Sequence, residues 1–177
     1  PAPDAFRAAM RTPASSVVIV ATGAEGTRAG CTVTAICSLS DSPPSLLVCL
    51  NRRTSALAEI LANGRFSANY LGDTQSALAD VFAGRTGRRG EARFGPEWVQ
   101  AETGVPVLKN AAASFECALV QTQRFGSHDI LIGRVDACRE ASRHRRGCVH
   151  GVVRPLEGEG HLQLSPVDDE VHVLPAT

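Results

Sequence analysis

The run NRRTSA, Asn51 to Ala56, places two arginines and two hydroxyls where a helix is expected to start, near Ser55. A helix leaves its first backbone N–H groups unpaired; Thr54 or Ser55 can cap some of them, and the rest face any anion set there. Arg52 and Arg53 add positive charge beside that terminus. The chemistry this pattern supports is the seating of a phosphate-bearing cofactor. An ordinary capped helix with two solvated arginines is the other reading of the same residues.

A second basic cluster lies downstream. GRTGRRG, Gly84 to Gly90, continues to Arg93 and sets Arg85, Arg88, Arg89 and Arg93 against a single acidic residue, Glu91. It follows a helical pattern rather than a strand, and neither G-x-G-x-x-G nor the Walker pattern occurs, so a doubly wound dinucleotide fold is excluded. For Arg88, Arg89 and Arg93 a mobile, solvated loop is expected; the alternative is a flexible clamp for the phosphates of a second nucleotide. His128, in SHDILIGRV, stands at the mouth of an expected strand, where a lone histidine is either hydrogen-bonded structure or a reacting group.

The cysteines, Cys31, Cys37, Cys49, Cys117, Cys138 and Cys148, contain no C-x-x-C pair, and most lie in apolar strand-like runs where a reduced thiol packs as a small hydrophobe. His144, Cys148 and His150 raise a metal question, but they sit in an Arg-rich stretch without an obvious fourth ligand. No metal is expected.

The elements that must position these groups are mainly strands. Apolar and β-branched runs predict strands over Val17 to Ala21, Ala29 to Leu39, Ser45 to Leu50, Arg65 to Leu71, Phe115 to Gln123 and Asp129 to Cys138, with a poorer one near Val149 to Arg154. Phe6, Ala9 and Met10 predict a short opening helix that Pro13 stops. Leu57, Ile60 and Leu61 form a second apolar stripe before Gly64, and Leu78, Val81 and Phe82 a third between an Asp73 cap and Gly84. Many short strands with few helices point to a barrel or sandwich. At 177 residues, 44% hydrophobic and 20% charged, the chain is expected to form one domain over residues 1–177 with its own core.

Net charge narrows the partners. A formal charge of zero and a pI near 7.3 draw the chain neither to nucleic acid nor to an anionic membrane. No apolar run approaches the roughly 20 residues that span a bilayer. The opening PAPDAFRAAM lacks a charged leader followed by an apolar stretch, so a cytoplasmic setting is expected.

GCTVTAICSLSDSPPSLLVCLNRRTSA, then GRFSANYL, QSALADVFAGR, the FGPEW to TGVPVL stretch and FECALVQTQRFGSHDILIGRV together resemble the flavin reductase family. These are the small NAD(P)H:flavin oxidoreductases of two-component monooxygenases. The resemblance is strongest over residues 6–135. Residues 142–177 are atypical, because RHRRGCVHGVVRPLEGEGHLQL lacks the aromatic and arginine-containing strand with which such proteins usually close.

The resemblance implies an FMN-binding split β-barrel with a few short helices, usually a homodimer with flavin sites near the subunit interface. It implies FMN or FAD as cofactor and NADH or NADPH as hydride donor. By similarity the flavin contacts fall on Thr32, Val33, Thr34, Ala35 and Ile36 for the ring edge. Asn51, Arg52, Ser55 and Ala56 fall at the phosphate, and Ala83, Gly84 and Arg85 form a second clamp. T-V-T-A-I is also good strand sequence in its own right, and Gly84 is also a natural helix C-cap. His128 matches the histidine of the family's G-D-H segment, on the nicotinamide side, with Ser127 in place of the aspartate. The implied function is NAD(P)H-dependent reduction of FMN or FAD, delivering reduced flavin to a partner monooxygenase. The alternatives are a flavoenzyme that keeps its flavin and reduces another acceptor, and a non-enzymatic flavin- or haem-binding split-barrel module.

Overall fold

The structure is a computed structural model and describes residues 2–140. In chain order the elements are α1 (Pro3–Ala9), β1 (Val18–Thr22), β2 (Ala29–Val33), β3 (Ile36–Asp41), β4 (Pro44–Asn51), α2 (Ser55–Asn63), β5 (Arg65–Tyr70), α3 (Ser76–Phe82), β6 (Trp98–Gln100), β7 (Pro106–Leu108), β8 (Ala113–Phe125) and β9 (His128–Glu140). The mainly β expectation holds. The strand expected near Val149 to Arg154, with His144, Cys148 and His150, lies outside the described residues.

Seven strands form one antiparallel sheet in the order β2-β1-β5-β8-β9-β4-β3, and β6 with β7 form a separate hairpin. The two strands at opposite edges of that order, β2 and β3, are consecutive in the chain and separated only by Thr34 and Ala35. Three Cα steps span at most roughly 11 Å, so the edges must meet and the sheet curls into a barrel. The sequence predicts one strand from Ala29 to Leu39; the structure breaks it at Thr34 and Ala35. The break is where the chain changes pairing partner, from β1 on one side to β4 on the other. Ala35 still accepts a 2.9 Å hydrogen bond from the Cys49 N–H, which carries the β3–β4 ladder up to the seam.

Alternation along the strands fills the barrel. Val18, Val20, Leu46, Val48, Leu50 and Phe66 point inward, and α2 adds Ala56, Leu57 and Ile60 to the same core. The α2 stripe is centred on Ala56 and Ile60, so Leu61, expected on the buried face, is exposed. Thr54 caps the helix by accepting from the Ala56 N–H at 3.4 Å, and Gly64 ends it at φ 65°. The opposite face of β1 is buried as well: Val17, Ile19 and Ala21 pack with Ala79, Val81, Phe82, Phe94 and Trp98. β1 therefore separates two cores and α3 lies outside the barrel wall. Among the described residues no helix is long and apolar enough to cross a membrane.

Candidate functional site

One corner gathers the first basic cluster and His128. Asn51, the last residue of β4, pairs in register with His128, the first of β9, and the Arg52 N–H donates to the Ser127 carbonyl at 3.0 Å. Asn51 then sets the turn: its side-chain oxygen accepts from the Arg53 N–H at 2.9 Å and its carbonyl from the Thr54 N–H at 3.0 Å. The start of α2 is thus tied to the mouth of β9, with Ser55 exposed at the helix terminus and Ala56 buried beneath it. Arg52 leans toward the buried Asp129, whose Oδ1 lies 3.8 Å from Arg52 Nε and 3.9 Å from Arg124 Nε. His128 is exposed, with Nδ1 2.9 Å from the Ser127 hydroxyl.

The β2–β3 segment divides by face. Thr34 and Ala35 are exposed at the seam and Ile36 is half-buried, whereas the Val33 side chain belongs to the barrel core. The Thr32 hydroxyl donates to the Ala79 carbonyl at 2.8 Å and so fastens α3 to β2. Only its lone pairs remain for another partner.

At the end of α3 the Ala83 N–H still bonds to the Ala79 carbonyl, at 2.9 Å, and Gly84 follows at φ +78°. That left-handed geometry suits the C-cap, and it also leaves bare backbone at the surface. The Arg85 guanidinium is exposed and bonds to Asp80 at 2.6 Å, which neutralises part of its charge.

Arg93 departs from the solvated loop expected of it. It is half-buried: Nη1 donates to the Gly30 carbonyl at 3.1 Å and Nε to the Arg88 carbonyl at 3.1 Å. A Cβ added to Gly84 would lie 3.7 Å from its Nη2. Its field also reaches the Cys31 thiol: burial pushes that thiol up to about 11, against a hydrogen bond with Thr54 and the Arg93 charge. The Thr32–Ala79 and Arg93–Gly30 hydrogen bonds therefore tie α3 and the turn after it to β2. The sequence signal that marks Arg93 is its neighbour Phe94, an aromatic residue that a freely solvated loop would not bury.

Residues 10–156 match the family model described as the flavin reductase like domain. The chain belongs to this flavin reductase family. It is 46% identical over 139 residues, 78% of this chain and 80% of the relative, to the protein named FMN reductase (NADH) RutF 2 of Methylorubrum extorquens. Among solved structures it is similar to the NADH:FAD oxidoreductase SgcE6 of Streptomyces globisporus, with a TM-score of 0.79, 26% identity and coverage of 87% of this chain and 92% of that one. It is also similar to BorF, the flavin reductase component of a bacterial two-component tryptophan halogenase, with a TM-score of 0.77, 28% identity and coverage of 83% and 92%. The described barrel is thus the split barrel of the flavin reductases, and the segments expected to meet the flavin are the β2–β3 seam, the start of α2 and the end of α3.

Proposed function

We propose that this chain reduces FMN or FAD with NADH or NADPH and hands the reduced flavin to a flavin-dependent monooxygenase. The observation that carries the reading is the convergence on β2: the Thr32 hydroxyl holds α3 through the Ala79 carbonyl, Arg93 holds the turn after α3 through the Gly30 carbonyl, Cys31 shares the barrel core with Ala56 and Leu57 of α2, and β2 runs directly into the Thr34–Ala35 seam. The names of the relatives support the same activity. The residues present fit a flavin: small or exposed side chains at Thr34, Ala35 and Ala83, bare backbone at Gly84, and a capped helix start flanked by arginine.

A bound flavin supplies the electron acceptor, and a nicotinamide the hydride. The chain's part is to hold and orient. Thr32 to Ile36 line the ring edge, with Thr32 and Val33 acting through backbone and packing. Asn51, Arg52, Ser55 and Ala56 serve the phosphate, with Asp129 orienting Arg52. Ala83, Gly84 and Arg85 close the opposite side. The assay that tests the function is oxidation of NADH and NADPH with and without added FMN, FAD or riboflavin. Turnover that rises with free flavin is expected; a tightly yellow protein indifferent to added flavin, or no turnover, overturns it.

His128 takes the nicotinamide side in this reading, because it is exposed at the corner that holds Asn51 and Arg52. His128→Ala is expected to raise KM for the nicotinamide or slow flavin reduction by about 10-fold, about 1.4 kcal/mol, with flavin affinity unchanged. Stopped-flow reduction beside a flavin titration measures both. An unchanged rate at every nicotinamide concentration removes the role.

A homodimer completes the proposal. The outer face of β3, β4 and β9 carries Cys37, Leu47, Cys49, Ile130 and Ile132 in cross-strand register, only partly covered by this chain. β4 ends at Asn51 and β9 begins at His128, so a second copy on this face would border the flavin corner. Light scattering is expected to give about twice the chain mass at assay concentrations; a stable monomer with full flavin affinity counts against it. A cytoplasmic setting accords with the free thiols at Cys31, Cys37, Cys49, Cys117 and Cys138.

A further inference from the structure

We propose that Ser127 is a positioning residue for His128: its hydroxyl holds Nδ1 of the imidazole, so that Nε2 is the nitrogen presented to the nicotinamide nucleotide. The proposal rests on the flavin reductase reading and adds to it a residue to which that reading gives no role. The Ser127 hydroxyl lies 2.9 Å from His128 Nδ1, and among the described residues no other side chain bonds to the ring. His128 is exposed, so Nε2 is left for a ligand.

The backbone fixes both members of the pair. β8 and β9 are joined by the two-residue turn of Gly126 and Ser127, with Gly126 at φ 57°, and the Ser127 carbonyl accepts from the Arg52 N–H at 3.0 Å. His128 stands in register between Phe125 of β8 and Asn51 of β4, so its backbone is set from both sides. With both groups carried by one anchored turn, the bond between them costs little ordering entropy. The carboxylate next in sequence does not replace the hydroxyl. Strand alternation turns Asp129 to the opposite face, where it is buried and meets Arg52 and Arg124. A hydroxyl both donates and accepts, so it holds Nδ1 whether or not that nitrogen carries a proton, whereas a carboxylate holds only the protonated form. The orientation of the ring is thereby independent of its protonation.

The test is steady-state oxidation of NADH or NADPH, whichever the wild-type chain oxidises faster, at saturating FMN, beside an FMN titration and a thermal melt. Ser127→Ala is expected to lower kcat/KM for the nicotinamide about 3- to 10-fold, the range for one neutral hydrogen bond, with FMN affinity and Tm unchanged. Ser127→Thr keeps the hydroxyl and should come within about 2-fold of the wild type. In a His128→Ala background the Ser127→Ala change should cost less than about 2-fold, since a residue acting through the imidazole then has nothing to act on. Equal losses in the two backgrounds, or an unchanged kcat/KM in Ser127→Ala, overturn the proposal and leave the flavin reductase reading standing. A Ser127→Ala loss that comes with a lowered Tm or weakened FMN makes the hydroxyl a structural group and overturns it as well. A wild-type chain that oxidises neither nicotinamide with any flavin overturns the flavin reductase reading, and this proposal with it.

Discussion

Phe82→Ala is expected to cost about 3–5 kcal/mol of folding stability and to weaken FMN binding at the same time. Phe82 is 2% exposed, and its ring meets Phe94 edge-on at 5.0 Å and Trp98 at 5.2 Å. It also fills the space over Gly30, where an added Cβ would lie 2.9 Å from Phe82 Cε1. Truncation therefore empties the junction of α3, β2 and the turn that carries Arg93. Because Phe82 immediately precedes Ala83, Gly84 and Arg85, the cavity loosens the α3 end of the proposed flavin site. Denaturant unfolding beside a flavin titration measures the two effects. A loss below about 1 kcal/mol would show that the aromatic trio is not the packed support described here.

Gly133→Ala is expected to destabilise by up to about 3 kcal/mol through overpacking, although it adds only one methyl group. Gly133 lies in β9 between Leu46 of β4 and Leu119 of β8. Its added Cβ would stand 2.5 Å from Phe66 Cζ and 2.9 Å from Cys117 Cβ, and Phe66 is fully buried with no solvent side to retreat to. The second variant that tests the mechanism is Phe66→Leu, which shortens the opposing ring. In the double variant Gly133→Ala/Phe66→Leu the loss should fall well short of the sum of the two single losses. Additive losses would mean that the two positions do not share the space.

Both predictions rest on contacts between residues far apart in the chain, and such contacts separate what could be read from the sequence from what could not. β-branched and apolar runs marked β1, β4, β5, β8 and β9, since residues alternating at period two can bury one face of a strand without reference to distant partners. The α2 start was equally legible, because its cap is local: the Thr54 hydroxyl accepts from the Ala56 N–H two residues on. The short strands of the β6–β7 hairpin were not, as three residues carry too little alternation to identify. Thr34 and Ala35 interrupt what reads as one strand because the barrel closes there. Nothing in T-V-T-A-I disfavours the extended state, and the break arises from the exchange of β1 for β4 as partner.

The candidate site divides in the same way. By itself the amino-acid sequence determined which segments carry small residues, hydroxyls and cations, and the ordered family motifs carried the resemblance from which the flavin contacts are proposed. Only the tertiary structure decided how each group is employed. The Thr32 hydroxyl is committed to Ala79, 47 residues away, Arg85 is matched by Asp80, and Arg52 leans on a carboxylate from another strand. Arg93 shows the difference most plainly, since its local sequence is that of a solvated basic loop. A carbonyl 63 residues distant and an aromatic cluster built from three parts of the chain make it a fixed, half-buried cation. Charge type is a local property of sequence, whereas desolvation and counter-charge depend on what the fold brings alongside.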